Sequence, residues 1–208
     1  MQNQRTLKFS PTTDVKIKRK LTFSPRVSGS TFSIICGPMF SGKTKTLICK
    51  IDEVRSEGKT VFVFKPKLDN RYADEAVVSH DKDEVDAYSI EKPKEILDYY
   101  HNADVVAIDE AQFFDDSVVL VCRRILADGK SVIVAGLDLD YLSNPFGPMP
   151  ELMTFADEVI KLNSVCTFCS GKARFSYRIS QENDIVVLGE KDKYVPLCRS
   201  CYSELTNQ

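Results

Sequence analysis

Between Phe32 and Ala135 the chain alternates short, unbroken apolar runs with stretches of helical period. Ser33-Ile34-Ile35-Cys36 is an apolar run that stops at Gly37-Pro38, as a strand buried on both faces does. Leu47, Ile48, Ile51 and Val54 then recur at helical spacing, and Gly58 supplies the stop. Val61-Phe62-Val63-Phe64 predicts a second strand. The polar stretch from Lys65 to Asp86 has little period and predicts a long loop. Pro93 opens a short helix through Ile96, Leu97 and Tyr100. Val105–Ile108 and Val132–Ala135 predict two more strands, with a helix over Ser117–Ala127 between them. Continuous apolar strands alternating with helices predict an α/β fold, a parallel sheet flanked by helices. The alternation ends near Asn163, where closely spaced cysteines mark a second, smaller unit.

Residues 1–30 differ from all of this. They are rich in Lys, Arg, Ser, Thr and Pro, repeat the pattern Leu-x-Phe-Ser-Pro at Leu7 and Leu21, and predict a disordered basic arm. The expected organisation is therefore an arm at 1–30, a nucleotide-binding unit at 31–162 and a cysteine-bearing unit at 163–208.

Composition narrows the classes. With 208 residues, 43% hydrophobic and 28% charged, the chain can bury a core without disulfide staples. A formal charge of −2, from 28 basic and 30 acidic residues, argues against a protein that coats nucleic acid or an anionic membrane. No apolar run approaches the roughly 18 residues that span a bilayer, and the N-terminus lacks the apolar core of a secretory signal. The expectation is an intracellular, cytoplasmic protein that acts on small molecules, with its cysteines reduced.

The chemistry begins at Gly37-Pro38-Met39-Phe40-Ser41-Gly42-Lys43-Thr44, which matches G-x-x-x-x-G-K-[ST] at every fixed position, between a strand and a helix. Such a loop curls backbone N–H groups around phosphate, and the new helix turns its positive dipole end toward them. Lys43 would reach the β- and γ-phosphates, and the Thr44 hydroxyl would help hold Mg²⁺. Asp109, at the end of the strand Val105–Ile108, is placed for the magnesium shell, and Glu110 beside it for a base. The plain alternatives are a glycine turn and a solvated acidic pair.

Cys166-x2-Cys169 and Cys198-x2-Cys201 form two knuckles flanking Ser170–Leu197. Four thiolates at these spacings close a tetrahedral Zn²⁺ site with no open position, hence a structural one. The intervening segment looks too poor in apolar surface to form its own core, so metal would order it. The phosphate loop, far away in sequence, is expected to stand independently of that metal. Cys36, Cys49 and Cys122 lie in apolar patterns and read as core thiols.

Taken together, these motifs resemble the cytosolic, zinc-containing (type II) thymidine kinases from about Phe32 to Tyr202. Gly37–Thr44 is similar to that family's phosphate loop, and Asp69-Asn70-Arg71 to its D-x-R segment, in which Arg71 would contact nucleotide phosphates. Asp109-Glu110-Ala111-Gln112-Phe113-Phe114 resembles its D-E-[GA]-Q-F-F box. The resemblance implies Asp109 on magnesium, Gln112 among the nucleotide-binding residues, and Glu110 as base toward a nucleoside 5′-hydroxyl. It places Met39, Phe113, Leu137, Tyr141 and Phe146 around the base. Ser176, the run Ile185, Val186, Val187, Leu188 and Gly189, and Tyr194 would form a lasso over thymine and sugar. Tyr141 stands where the best-known members carry Phe. Also implied are ATP and thymidine as substrates, inhibition by thymidine triphosphate and a homotetramer. Core packing is the plain alternative for each aromatic.

Rival readings are a P-loop ATPase that binds nucleic acid through its zinc unit, and a nucleotide sensor without catalysis. Residues 163–208 mix Lys172, Arg174, Arg178 and Arg199 with Glu182, Asp184, Glu190, Asp192 and Glu204, so no basic stripe forms and no direct nucleic-acid binding is expected. The intact Lys43, Thr44, Asp109 and Glu110 set speaks against a sensor. In the arm, Arg19-Lys20-Leu21-Thr22-Phe23 has the R-x-L-x-F form of cyclin-docking peptides, and Ser10-Pro11 and Ser24-Pro25 look like proline-directed phosphorylation sites. Cell-cycle regulation through the arm in a eukaryotic host is the hypothesis they support, against a plain basic tail.

Overall fold

The computed structural model describes residues 29–67, 76–78, 84–179 and 193–206. The arm, the Asp69–Arg71 segment and Ile185–Gly189 lie outside the described residues.

The elements of the larger part are β1 Phe32–Cys36, α1 Lys43–Ser56, β2 Val61–Pro66, β3 Ala76–Val78, β4 Glu84–Asp86 and β5 Tyr88–Ile90. After these come α2 Ile96–Tyr99, β6 Val105–Ile108, α3 Ser117–Ala127, β7 Ser131–Gly136, α4 Met149–Phe155 and β8 Glu158–Lys161. Six of the strands make one sheet in the order β5-β2-β6-β7-β1-β8, and every pairing in it is parallel.

Both faces of the sheet are buried, which is why the central strands read as unbroken apolar runs. Successive residues alternate sides: Ile34, Val106, Ile108, Val132 and Val134 enter one core with Val118, Cys122 and Ile125 of α3. Ile35, Val105, Ala107, Ile133 and Ala135 enter the other with Leu47, Ile48 and Ile51 of α1.

Three features depart from the expected elements. First, the polar stretch 65–86 is not all loop, because β2 continues to Pro66 and β3 pairs antiparallel with β4. Strands of three residues are too short for a period to show. Second, the two sheet edges, β5 and β8, were not legible; β8 is mostly exposed, so Glu158-Val159-Ile160-Lys161 carries no buried run. Third, the helix at Pro93 is one α turn between 3₁₀ turns at Pro93–Glu95 and Tyr100–Asn102.

Beyond Lys161 the elements become small: β9 Ser164–Val165, β10 Lys172–Ala173, β11 Phe175–Arg178, β12 Tyr194–Leu197 and α5 Arg199–Thr206. β9 pairs antiparallel with β10 and β11 with β12. Contrary to expectation, this part has an apolar cluster of its own, Cys166, Ala173, Phe175, Leu197 and Tyr202, with the Phe175 and Tyr202 rings stacked at 4.7 Å. Among the described residues, no helix is long and apolar enough to cross a membrane.

Candidate functional site

The phosphate loop leaves β1 at the carboxyl edge of the sheet. Gly37 has φ +144°, and a Cβ there would lie 2.6 Å from the Leu162 carbonyl oxygen, so only glycine fits between loop and β8. Lys43, buried at the start of α1, donates to the Pro38 carbonyl at 2.9 Å. Burial pulls its pKa below the usual lysine value, while Glu110, Asp109 and Asp138 oppose the shift. Among the described residues the buried Ser41 hydroxyl has no hydrogen-bond partner, as suits a loop that closes on an anion.

Asp109 follows β6 and is 5% exposed. The Thr44 hydroxyl donates to its Oδ2 at 3.2 Å. Burial, then the neighbouring Glu110 carboxylate, push Asp109 up to about 7, against the pull of Lys43 and Thr44. A buried carboxylate whose charge is disfavoured, touching the P-loop hydroxyl, fits a divalent cation that would restore that charge.

Glu110 sits in the left-handed region at φ 52°, an uncommon conformation for a residue with a side chain. Its carboxylate Oε2 accepts from Gln112 Nε2 at 2.5 Å. Gln112, placed by the resemblance among the nucleotide-binding residues, is 2% exposed, and its Oε1 accepts from the Leu137 backbone N–H at 3.0 Å. Both ends of this carboxamide are engaged within the protein.

The segment after β7 curls back over the sheet edge. Phe113 and Phe146 meet edge-on at 5.6 Å, and the Phe146 N–H donates to the Asp138 carbonyl at 3.1 Å. Asp138 is buried and paired with Lys161 at 2.6 Å; the contact is close, but off the angles of a good hydrogen bond, and among the described residues both carboxylate oxygens lack a conventional donor.

The cysteine-bearing part reaches the phosphate loop directly, a contact that the distance in sequence did not suggest. The Met39 N–H donates to Ser176 Oγ at 2.9 Å, and Ser164 Oγ donates to the Phe40 carbonyl at 3.0 Å. On β11, Arg178 shares a strand face with Ser176, two residues away. It is 7% exposed, stacks 3.6 Å from the Tyr141 ring centroid, and donates to the Tyr194 hydroxyl through Nε at 3.1 Å and Nη2 at 2.7 Å. The Tyr202 hydroxyl of α5 donates to the Tyr141 carbonyl at 2.9 Å. Sequence reasoning missed Arg178, Ser164 and Tyr202. Strand alternation from Ser176 could have found the first; no local signal marks the other two.

The four cysteine sulfurs of Cys166, Cys169, Cys198 and Cys201 lie within 4.8 Å of one another, and Cys169 and Cys198 Sγ are 3.6 Å apart. A tetrahedral site with bonds of about 2.3 Å needs sulfur–sulfur edges of about 3.8 Å, so the cluster fits one metal ion. At Cys166, burial acts to raise the thiol pKa, but N–H groups of Cys198, Cys169 and Phe168 together bring it down to about 6. The other thiols differ. Cys36 and Cys122 are buried and pushed up, chiefly by burial, to about 11 and about 12, as inert core residues should be. Cys49 is exposed on α1, against the expectation of a core position.

The grouping is therefore Met39, Phe40, Lys43, Thr44, Asp109, Glu110, Gln112, Leu137, Tyr141, Ser176 and Tyr194, joined by the contacts above; Asp69, Arg71 and Ile185–Gly189 lie outside the described residues. Comparison with known proteins points the same way. A family model described as thymidine kinase matches residues 30–202. The thymidine kinase of Bacteroides thetaiotaomicron is 47% identical over 169 residues, covering 81% of this chain and 85% of its own. That of Rhodothermus sp. is 46% identical, covering 81% and 79%. That of Porphyromonas gingivalis is 42% identical over 177 residues, covering 85% and 87%. The family model and these relatives match most of the chain, and the chain in turn covers most of each relative: the chain belongs to the thymidine kinase family.

Proposed function

We propose that the protein transfers the γ-phosphoryl group of ATP to the 5′-hydroxyl of thymidine, and also of deoxyuridine, giving the monophosphate and ADP in nucleotide salvage for DNA synthesis. The observation that carries this is the meeting of Lys43 and Thr44 with Asp109 and Glu110 at one sheet edge.

Phosphoryl transfer needs alignment and charge neutralisation more than covalent help from the protein. Backbone N–H groups of Gly37–Thr44 receive the phosphates, and Lys43 leaves the Pro38 carbonyl to neutralise their charge. Thr44 and Asp109 would hold Mg²⁺, which would supply positive charge against the phosphates. Glu110 holds the 5′-hydroxyl in line and accepts its proton as the new O–P bond forms and the bond to the ADP oxygen breaks. By family resemblance, Asp69 and Arg71 contact nucleotide phosphate. Met39, Phe113, Leu137, Tyr141 and Phe146 line the base pocket, and Ser176, Ile185–Gly189 and Tyr194 close over the nucleoside. Accepting the Met39 N–H leaves the Ser176 hydroxyl proton to donate toward a base carbonyl.

In the same reading the four-cysteine site holds structural Zn²⁺, residues 31–162 and 163–208 are the two functional units, and the enzyme is a cytoplasmic homotetramer inhibited by thymidine triphosphate. Steady-state ATP consumption against a panel of nucleosides tests the assignment. Thymidine and deoxyuridine should stimulate turnover; equal rates with and without any nucleoside would refute it.

A further inference from the structure

We infer that Gln112 is a positioning residue for the base, tying the Glu110 carboxylate to the backbone at the end of β7. This rests on the role proposed above for Glu110 and assigns Gln112 a task other than contact with nucleotide phosphate.

Three observations carry it. The Gln112 Nε2 donates to Glu110 Oε2 at 2.5 Å, while Oε1 accepts from the Leu137 N–H at 3.0 Å. The first partner only accepts and the second only donates, so the carboxamide has one workable orientation; flipped, it would set donor against donor and acceptor against acceptor. The space around it is closed. A Cβ on Gly136 would come within 2.8 Å of Gln112 Oε1, and one on Gly147, at φ +49°, would collide with the Gln112 carbonyl oxygen. Finally, Glu110 leaves β6 in a left-handed conformation at φ 52°, which turns the chain into the 3₁₀ turn Ala111–Phe113 that carries Gln112 back onto the Glu110 carboxylate.

The bond fixes one carboxylate oxygen and leaves Oε1 of Glu110 for the nucleoside hydroxyl. Leu137 begins the segment that carries Tyr141 and Phe146, so the same amide sets the distance between the base and the wall of the nucleoside pocket. Misplacing a reacting group by about 1 Å can cost on the order of 10²-fold in rate.

The test separates positioning from both phosphate contact and simple support of the fold. Gln112→Glu keeps the shape and an acceptor for Leu137 but replaces the donor facing Glu110 with a carboxylate; Gln112→Met removes both bonds. Expected for each is a kcat lower by roughly 10- to 100-fold, with KM for ATP and for thymidine within about threefold of wild type. Calorimetric affinities for ADP and thymidine should be as little changed, which also verifies a folded site. Should Gln112→Glu fail to fold, Gln112→Met carries the test. A raised KM for ATP with kcat retained would mean that Gln112 is a phosphate ligand. Full kcat in both variants, or equal loss of both ligands' binding with kcat, would likewise overturn the inference. Wild-type protein inactive on thymidine would instead sink the functional reading on which it stands.

Discussion

At the scale of single residues, a few side chains hold each other in place at the sheet edge. Glu110 is the most telling, because its removal should leave the scaffold untouched. Glu110→Gln is expected to bind ADP and thymidine as wild type does while turnover falls by about 10²–10⁴-fold. Retention of more than a third of wild-type turnover would take Glu110 out of the mechanism. Away from the site, Asp128 accepts from the buried Tyr100 hydroxyl and from Arg124 Nε at 3.0 Å. The Tyr100 hydrogen bond, then the Arg124 one, hold its carboxyl below the usual aspartate range. A depressed carboxyl stabilises the fold above its unfolded value, and that contribution is lost as pH falls through the folded one. Asp128→Ala should therefore melt lower than wild type near neutral pH, and the gap should narrow in acid. A gap that widens on acidification would contradict the assignment.

Among elements, the contact between the phosphate loop and the cysteine-bearing part has the clearest consequence. Met39 and Phe40 are bonded through their backbone to Ser176 and Ser164. Each bond contributes on the order of 1 kcal/mol, more where loss leaves an N–H unpaired. The double variant Ser164→Ala, Ser176→Ala should therefore weaken ADP binding roughly tenfold while the sheet stays folded. Titration calorimetry giving unchanged ADP affinity would show that the loop stands alone. Chelating the Zn²⁺ proposed for the four cysteines should act along the same path: thymidine binding should suffer more than ADP binding, but both should fall, and thermal stability of residues 163–206 should drop. The small cluster of Phe175, Leu197 and Tyr202 should leave residual order there after chelation, detectable as hydrogen-exchange protection on β11 and β12. Complete loss of protection would mean that metal alone orders this part.

Across the whole molecule, what could be read beforehand was local in sequence. The P-loop, the acids after β6 and the paired cysteines each announce themselves within eight residues or as a spacing, and strands buried on both faces announce themselves as runs. The edges β5 and β8 did not, because an edge strand shares its residues with solvent and loses the run. Nor could the sequence reveal that Ser176 touches Met39, 137 positions away, or that Arg178 lies over Tyr141. Those contacts follow from how two parts of the chain dock, and docking leaves no period. The family match over residues 30–202 extends over this docked whole rather than any one motif. The most direct measurement incubates the protein with thymidine and ATP labelled at the γ-phosphate, and follows the label. It should appear in thymidine 5′-monophosphate, and hardly at all when Glu110→Gln replaces wild type. Label released only as inorganic phosphate, with thymidine unchanged, would contradict phosphoryl transfer to the nucleoside.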